Sequence, residues 1–173
     1  QNIIMHLTVV RKIEFILLRV FWITSLISLK ILFKKACIAS DHAGYKLKED
    51  IKDFLIKKNI SIFDLGPMNK NSVDYPDYAK RVSNRIKVKK SDIGILVCGS
   101  GTGMAISANK TKGIRAAVCY NAQSTRLSRL HNNANIITLG SRLTKKKEAL
   151  KLVSIFLNTK FEGGRHLRRI RKI

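Results

Sequence analysis

From Lys34 onward, apolar residues follow two alternating rhythms. KKACIAS (34–40) is a short apolar run closing on small polar residues, the pattern of a buried strand. Between Gly44 and Lys58, Leu47, Ile51, Phe54 and Leu55 return on one helical face. ISIFDLG (60–66) reads as a second strand. From Asp77 to Lys89, Tyr78, Val82 and Ile86 recur at steps of four and predict a helix. IGILVC (93–98), IRAAVCY (114–120) and NIITLG (135–140) are the third, fourth and fifth strands, with helical stretches starting at Met104 and Ala122 between them. Residues 144–158 form a late helix with Leu150, Val153, Phe156 and Leu157 inward. The tail FEGGRHLRRIRKI breaks at its glycines and continues as a basic helix.

Strand–helix alternation over five strands predicts a parallel sheet covered on both faces. The fold class is α/β: a three-layer α-β-α sandwich with a five-stranded, Rossmann-like parallel sheet and a C-terminal helical tail. Ligands of such sheets lie beyond the carboxyl ends of the strands. The chemistry is therefore expected just after Ser40, Gly66, Cys98, Tyr120 and Gly140.

Residues 1–33 differ from the rest of the chain. They are mostly apolar, but Arg11, Lys12, Glu14, Arg19 and Lys30 interrupt them, and the longest uncharged run, Val20–Leu29, has ten residues, too short to span a bilayer. A basic start and an apolar middle are similar to a signal peptide, yet Lys30, Lys34 and Lys35 stand where small residues would mark cleavage. A non-functional extension, a targeting or membrane-surface segment, and an added helix all stay open. The domain division is thus 1–33, an apolar extension, and 34–173, the α/β domain. Membrane contact is expected only if the extension belongs to the working protein.

Composition narrows the picture. The chain has 173 residues and is 45% hydrophobic, enough for one domain with a real core. Its 34 Lys+Arg against 11 Asp+Glu give a net charge of +23. That favours anionic partners such as phosphorylated metabolites, nucleic acid or a membrane surface, or simply a lysine-rich solvated exterior. The three cysteines, Cys37, Cys98 and Cys119, are sparse and lack metal spacing, which fits a reducing, cytoplasmic setting.

Candidate chemistry gathers at the strand ends. Asp41 and His42 precede Gly44; they read either as ligand contacts or as a helix N-cap beside a surface histidine. CGSGTG (98–103) supplies backbone amides at a helix start, a nest for negative charge. It is neither G-x-x-x-x-G-K-[ST] nor G-x-G-x-x-G, so a dinucleotide site is not expected. Cys98 lies beside those amides, which favour a thiolate able to act as base or nucleophile; a buried core cysteine is the other local reading. Cys37 and Cys119 lie inside strands and read as core. His131 and Asn132 close a helix just before strand five, where the helix dipole favours a protonated imidazole. Arg142 follows strand five. In the tail, Arg165, Arg168 and Arg169 stand at i, i+3 and i+4 with His166 among them, a pattern able to hold phosphate.

SDHAG (40–44), VDYPDYA (73–79), CGSGTGMAISANK (98–110), GIRAAV (113–118), SRLHNNANI (128–136), GSR (140–142) and EGGRH (162–166) occur in this order. The ordered set resembles the ribose-5-phosphate isomerase B family, which shares its fold with the lactose-pathway galactose-6-phosphate isomerase subunits. The resemblance covers about residues 34–171. It implies an aldose–ketose isomerase of the pentose phosphate pathway without metal or cofactor. It also implies a homodimer, or a tetramer, with active sites at the subunit interface. Cys98 matches the family's base, Ser100 the hydroxyl that helps open the sugar ring, and His131 the ring-opening histidine. Asp41, His42 and Tyr75 match sugar contacts. The loop Gly99, Gly101, Thr102 and Gly103, with Asn132, matches the enediolate site. Arg142, Arg165 and Arg169, with His42, match the phosphate clamp. The expected reaction interconverts ribose 5-phosphate and ribulose 5-phosphate through a cis-enediolate.

Two other readings are weighed against it. One is isomerisation of six-carbon sugar phosphates, allose or galactose 6-phosphate. The other is nucleic-acid binding through the basic tail, which finds no helix-turn-helix, RNP-type or zinc pattern, and only 7% aromatics for stacking. A positive surface steers dianionic sugar phosphates, but a few arginines would suffice, and the surplus charge has no functional account.

Overall fold

The computed structural model describes residues 32–173; the readings made for residues 1–31 lie outside the described residues. The elements run β1 (Lys35–Ser40), α1 (Tyr45–Lys57), β2 (Ser61–Asp64), α2 (Tyr75–Lys87), β3 (Ile93–Cys98), α3 (Thr102–Asn109), β4 (Ala116–Val118), α4 (Ala122–Leu130), β5 (Ile136–Gly140), α5 (Lys146–Asn158) and α6 (Gly164–Ile170). The five strands form one parallel sheet in the order β2-β1-β3-β5-β4.

The inner strands are the uninterrupted apolar runs. Every residue of β3 and β5 is buried, as is β1 after Lys35, because a parallel sheet is covered on both faces. Alternate residues feed two cores. Ile38, Ile95, Val97, Ile137 and Leu139 pack with Leu47, Ile51 and Leu55 of α1 and with Leu152, Val153 and Phe156 of α5. Cys37, Ala39, Leu96, Cys98 and Ile136 pack with Ala79 and Val82 of α2 and with Met104 and Ala108 of α3. Phe33 joins the first of these cores. The edge strand β2 alternates exposed and half-buried residues. Cys37 and Cys119 are core, as expected. Burial pushes the Cys37 thiol up to about 11, and the Cys119 thiol is also raised by burial.

Pairing Ser40 with Val97 and Cys98 with Gly140 puts the ends of β1, β3 and β5 side by side. The chain leaves β1 toward β2 on one side and crosses to β3 on the other, so the sheet's switch point lies between β1 and β3. Helices α1 to α5 each follow a strand and carry the chain back to the amino end. Among the described residues, no helix is long and apolar enough to cross a membrane.

Candidate active site

At the carboxyl ends of β1, β3 and β5 a cavity of about 480 Å³ is lined by Asp41, His42, Tyr75, Cys98, Gly99, Ser100, Gly103 and Arg142, with Ala43 and Leu143. Cys98 is the last residue of β3 and 5% exposed. The Gly101 amide donates to its Sγ at 3.0 Å. That bond needs Gly101 in the left-handed region, at φ +83°, where a side chain would be strained. The next residue starts α3, so the thiol sits beside a helix amino end. The chain after β5 is tied to the same loop, with the Ser141 amide donating to Cys98 O at 2.8 Å and the Arg142 amide to Gly99 O at 3.0 Å.

Asp41 stands just before α1, whose N-cap is Gly44 rather than Asp41. Its Oδ1 accepts from the Gly44 amide at 2.8 Å, while the residue lines the cavity. Ser141 Oγ donates to Ala43 O at 3.0 Å and fastens this loop to the end of β5. His42 Nδ1 accepts from the Val73 amide at 3.4 Å, which leaves Nε2–H to donate. Tyr75 opens α2, and its ring lies against Gly103, where an added Cβ would come within 2.8 Å of it.

Of the five strand ends expected to carry chemistry, those of β1, β3 and β5 line the cavity, whereas Gly66 and Tyr120 do not. They follow the edge strands β2 and β4, away from the switch point. Gly66 instead gives its carbonyl to the Ser40 amide at 2.9 Å. Gly101 and Thr102 act as loop and helix start rather than as lining.

The remaining expected site residues stand elsewhere. His131 follows α4 and precedes β5, so it lies at the amino end of the sheet. The whole of β5 separates it from the level of Cys98, about 13 Å at ~3.3 Å per residue. Asn132 lines a second cavity of about 270 Å³ at that end, with Asn109, Arg115 and Ile173. Arg165 and Arg169 are exposed on α6. His131 stacks on His166, with ring centroids 4.2 Å apart and planes within 4°. Glu162 Oε2 lies 3.7 Å from His131 Nε2 and 3.9 Å from His166 Nε2. The Glu162 amide donates to Leu130 O at 3.0 Å. Burial, with His131, Arg165 and Arg169 adding to it, lowers the His166 pKa against the pull of Glu162.

Residues 1–35 fall outside the family model, described as Ribose/Galactose Isomerase, that matches residues 36–173. The chain belongs to the ribose/galactose isomerase family. The ribose-5-phosphate isomerase B of Escherichia coli K12 is 39% identical over 140 residues, covering 81% of this chain and 94% of the relative. Among solved structures, the ribose 5-phosphate isomerase of Thermotoga maritima has 52% identity and TM-score 0.79, covering 80% of this chain and 95% of the other. The Mycoplasma genitalium ribose-5-phosphate isomerase B, solved with bound ribulose-5-phosphate, has 44% identity and TM-score 0.77, covering 80% and 92%.

In this member of the family, sequence reasoning missed the residues that hold the His131 turn. Arg115 donates to the carbonyls of Asn132 and Asn133, at 2.9 Å to each. Buried Arg129 donates to Asn133 Oδ1 at 2.9 Å and to the Ala134 carbonyl. Its guanidinium lies 5.0 Å from the Phe33 ring centre and 5.4 Å from that of Phe156. Burial, then the like charge of Arg115, brings it down to about 10, still a cation at neutral pH. The signal was thin: two arginines among 34 Lys+Arg. Glu162, inside EGGRH, was visible as a motif without a role.

Proposed function

We propose that this chain interconverts ribose 5-phosphate and ribulose 5-phosphate, and that it works as a homodimer whose sites join the two ends of the sheet. The observation that carries the reading is the Cys98 thiol, amide-bonded at 3.0 Å and set in a cavity with Asp41, His42, Tyr75 and Arg142. The solved relative with bound ribulose-5-phosphate supports the substrate.

The furanose opens first. The partner subunit's His131 exchanges the proton between the ring oxygen and the anomeric hydroxyl, with Ser100 or Asp41 assisting. Cys98 thiolate then takes the C2 proton. The C2–H electron pair becomes the C1–C2 double bond, and charge collects on O1, facing the amides of Gly99 to Gly103. The C2 hydroxyl proton passes to O1 and Cys98 returns its proton to C1, leaving the C2 ketone. Arg142 and His42 hold the phosphate from one subunit, and Arg165 and Arg169 from the other, which fixes the carbon chain over the thiol.

The need for a second copy follows from separation. One chain puts base and Arg142 at the carboxyl end and imidazole, Asn132 and two arginines at the amino end. Leu143, on the cavity wall, is 66% exposed and Ile106 is 59% exposed, apolar surface suited to a partner. The test is ribulose 5-phosphate formation with EDTA present, against a Cys98→Ala control and against allose and galactose 6-phosphates. Turnover of the pentose that survives EDTA and needs the thiol supports the reading. Turnover of a hexose phosphate alone, or an active Cys98→Ala protein, overturns it.

A further inference from the structure

Beyond that reaction, we propose that His131, Glu162 and His166 form a binding site for a first-row divalent transition ion such as Zn²⁺, and that occupancy inhibits the enzyme by withdrawing His131. Three donor atoms, one from each residue, lie within 4.8 Å of one another. Two imidazoles and a carboxylate are a donor set typical of zinc, with one position left open. At about 2.1 Å per bond, tetrahedral donors stand roughly 3.4 Å apart. The two nitrogen–oxygen spacings, 3.7 and 3.9 Å, exceed that only slightly.

The second observation is His166 itself. It is 5% exposed, and its Nε2 has no hydrogen-bond partner among the described residues while facing Glu162. A buried polar nitrogen without a partner is costly, and a bound cation would satisfy it. The side chains of Glu162 and His131 are 57% and 37% exposed, so they can close on an ion while His166 stays fixed. The stacked rings must fan apart, and His131 is the one free to turn. Arg165 and Arg169 flank His166 in sequence and on α6. Their charge opposes a dication, which fits a reversible inhibitory ion rather than a structural one.

The inhibitory part rests on His131 opening the ring. Ribulose 5-phosphate cannot close a furanose, because its C5 oxygen carries the phosphate, and the open aldose formed from it closes in solution unaided. Under saturating substrate, Zn²⁺ is therefore expected to lower kcat for ribose 5-phosphate at least tenfold more than kcat for ribulose 5-phosphate, with KM shifting so that kcat/KM falls equally in the two directions, as the fixed overall equilibrium requires. Binding is read separately, by competition between the full chain and a chromophoric chelator for Zn²⁺. The expected result is one ion per chain, held at least tenfold more weakly by Glu162→Gln and by His166→Ala and unchanged by Cys98→Ala. Glu162 is exposed, so its variant keeps the test valid if His166→Ala fails to fold. No binding at 100 μM (about 100-fold above a ~1 μM Kd), binding untouched by Glu162→Gln, or binding lost only with Cys98 would overturn the site. Intact binding with an equal loss of kcat in both directions at saturating substrate would overturn the inhibitory role. Intact binding by a chain that isomerises no pentose phosphate would strike the proposed reaction, not the metal site.

Discussion

In the proposed reaction a thiol and an imidazole divide the proton chemistry at the residue scale, and their surroundings set what each can do. Cys98 faces the Gly101 amide and the cavity, whereas Cys37, one strand away, is buried and pushed up to about 11. Cys98→Ala should lower kcat by about 10³-fold, the range of a lost general base, with little change in the urea midpoint. Cys37→Ala should keep turnover while losing stability. Steady-state kinetics beside urea unfolding separates the two cases. Gly103 makes room for Tyr75, since a Cβ there would stand 2.8 Å from the ring. Gly103→Ala should raise KM roughly tenfold by displacing the ring, and Tyr75→Phe should not relieve it, because the clash is with ring carbons. An unchanged KM would remove Tyr75 from the sugar contacts.

The elements show how much of this was legible. The inner strands were read to within a residue or two because their apolar runs are unbroken. The edge strands came out shorter than expected, 61–64 and 116–118 against 60–66 and 114–120, since fewer ladder bonds hold an edge. Helix α2 starts at Tyr75 instead of Asp77. Periodicity registers only once Tyr78 turns inward, whereas Pro76 belongs in a first turn, where its missing N–H costs nothing. The strand-end rule found Asp41, His42, Cys98 to Gly103 and Arg142, but Tyr75 was reached through the family resemblance. No periodicity could reveal that Lys48 of α1 would be fully buried. Its Nζ donates to both Asp64 oxygens, at 2.9 and 2.8 Å, and to Pro67 O at 2.8 Å. Burial alone would raise the Asp64 carboxyl, but hydrogen bonds from Lys48 and Lys52 hold it below its ordinary 3.8. A carboxyl held low adds stability that is present above its unfolded pKa and lost as pH falls through the folded value. Lys48→Met should therefore cost about 2–4 kcal/mol at pH 7 and clearly less at pH 3, by urea unfolding at both. An equal loss at the two pH values would mean the lysine acts only by packing.

For the whole molecule, the parallel sheet sends the helix after each strand back to its amino end, where α6 follows α5. His131, Asn132, Arg165 and Arg169 therefore gather there, away from Cys98. Both groups were visible in the order of residues along the chain, but their separation emerges only from the topology. The most direct test mixes two inactive proteins, Cys98→Ala and His131→Ala, after unfolding and refolding together. If each site draws Cys98 from one chain and His131 from the other, half of the dimers are hybrids and each hybrid carries one intact site. Turnover of ribose 5-phosphate should then recover to about one quarter of the wild-type value, as a two-fold interface requires. A mixture as inactive as its components would contradict the shared site and require both groups to act within one chain.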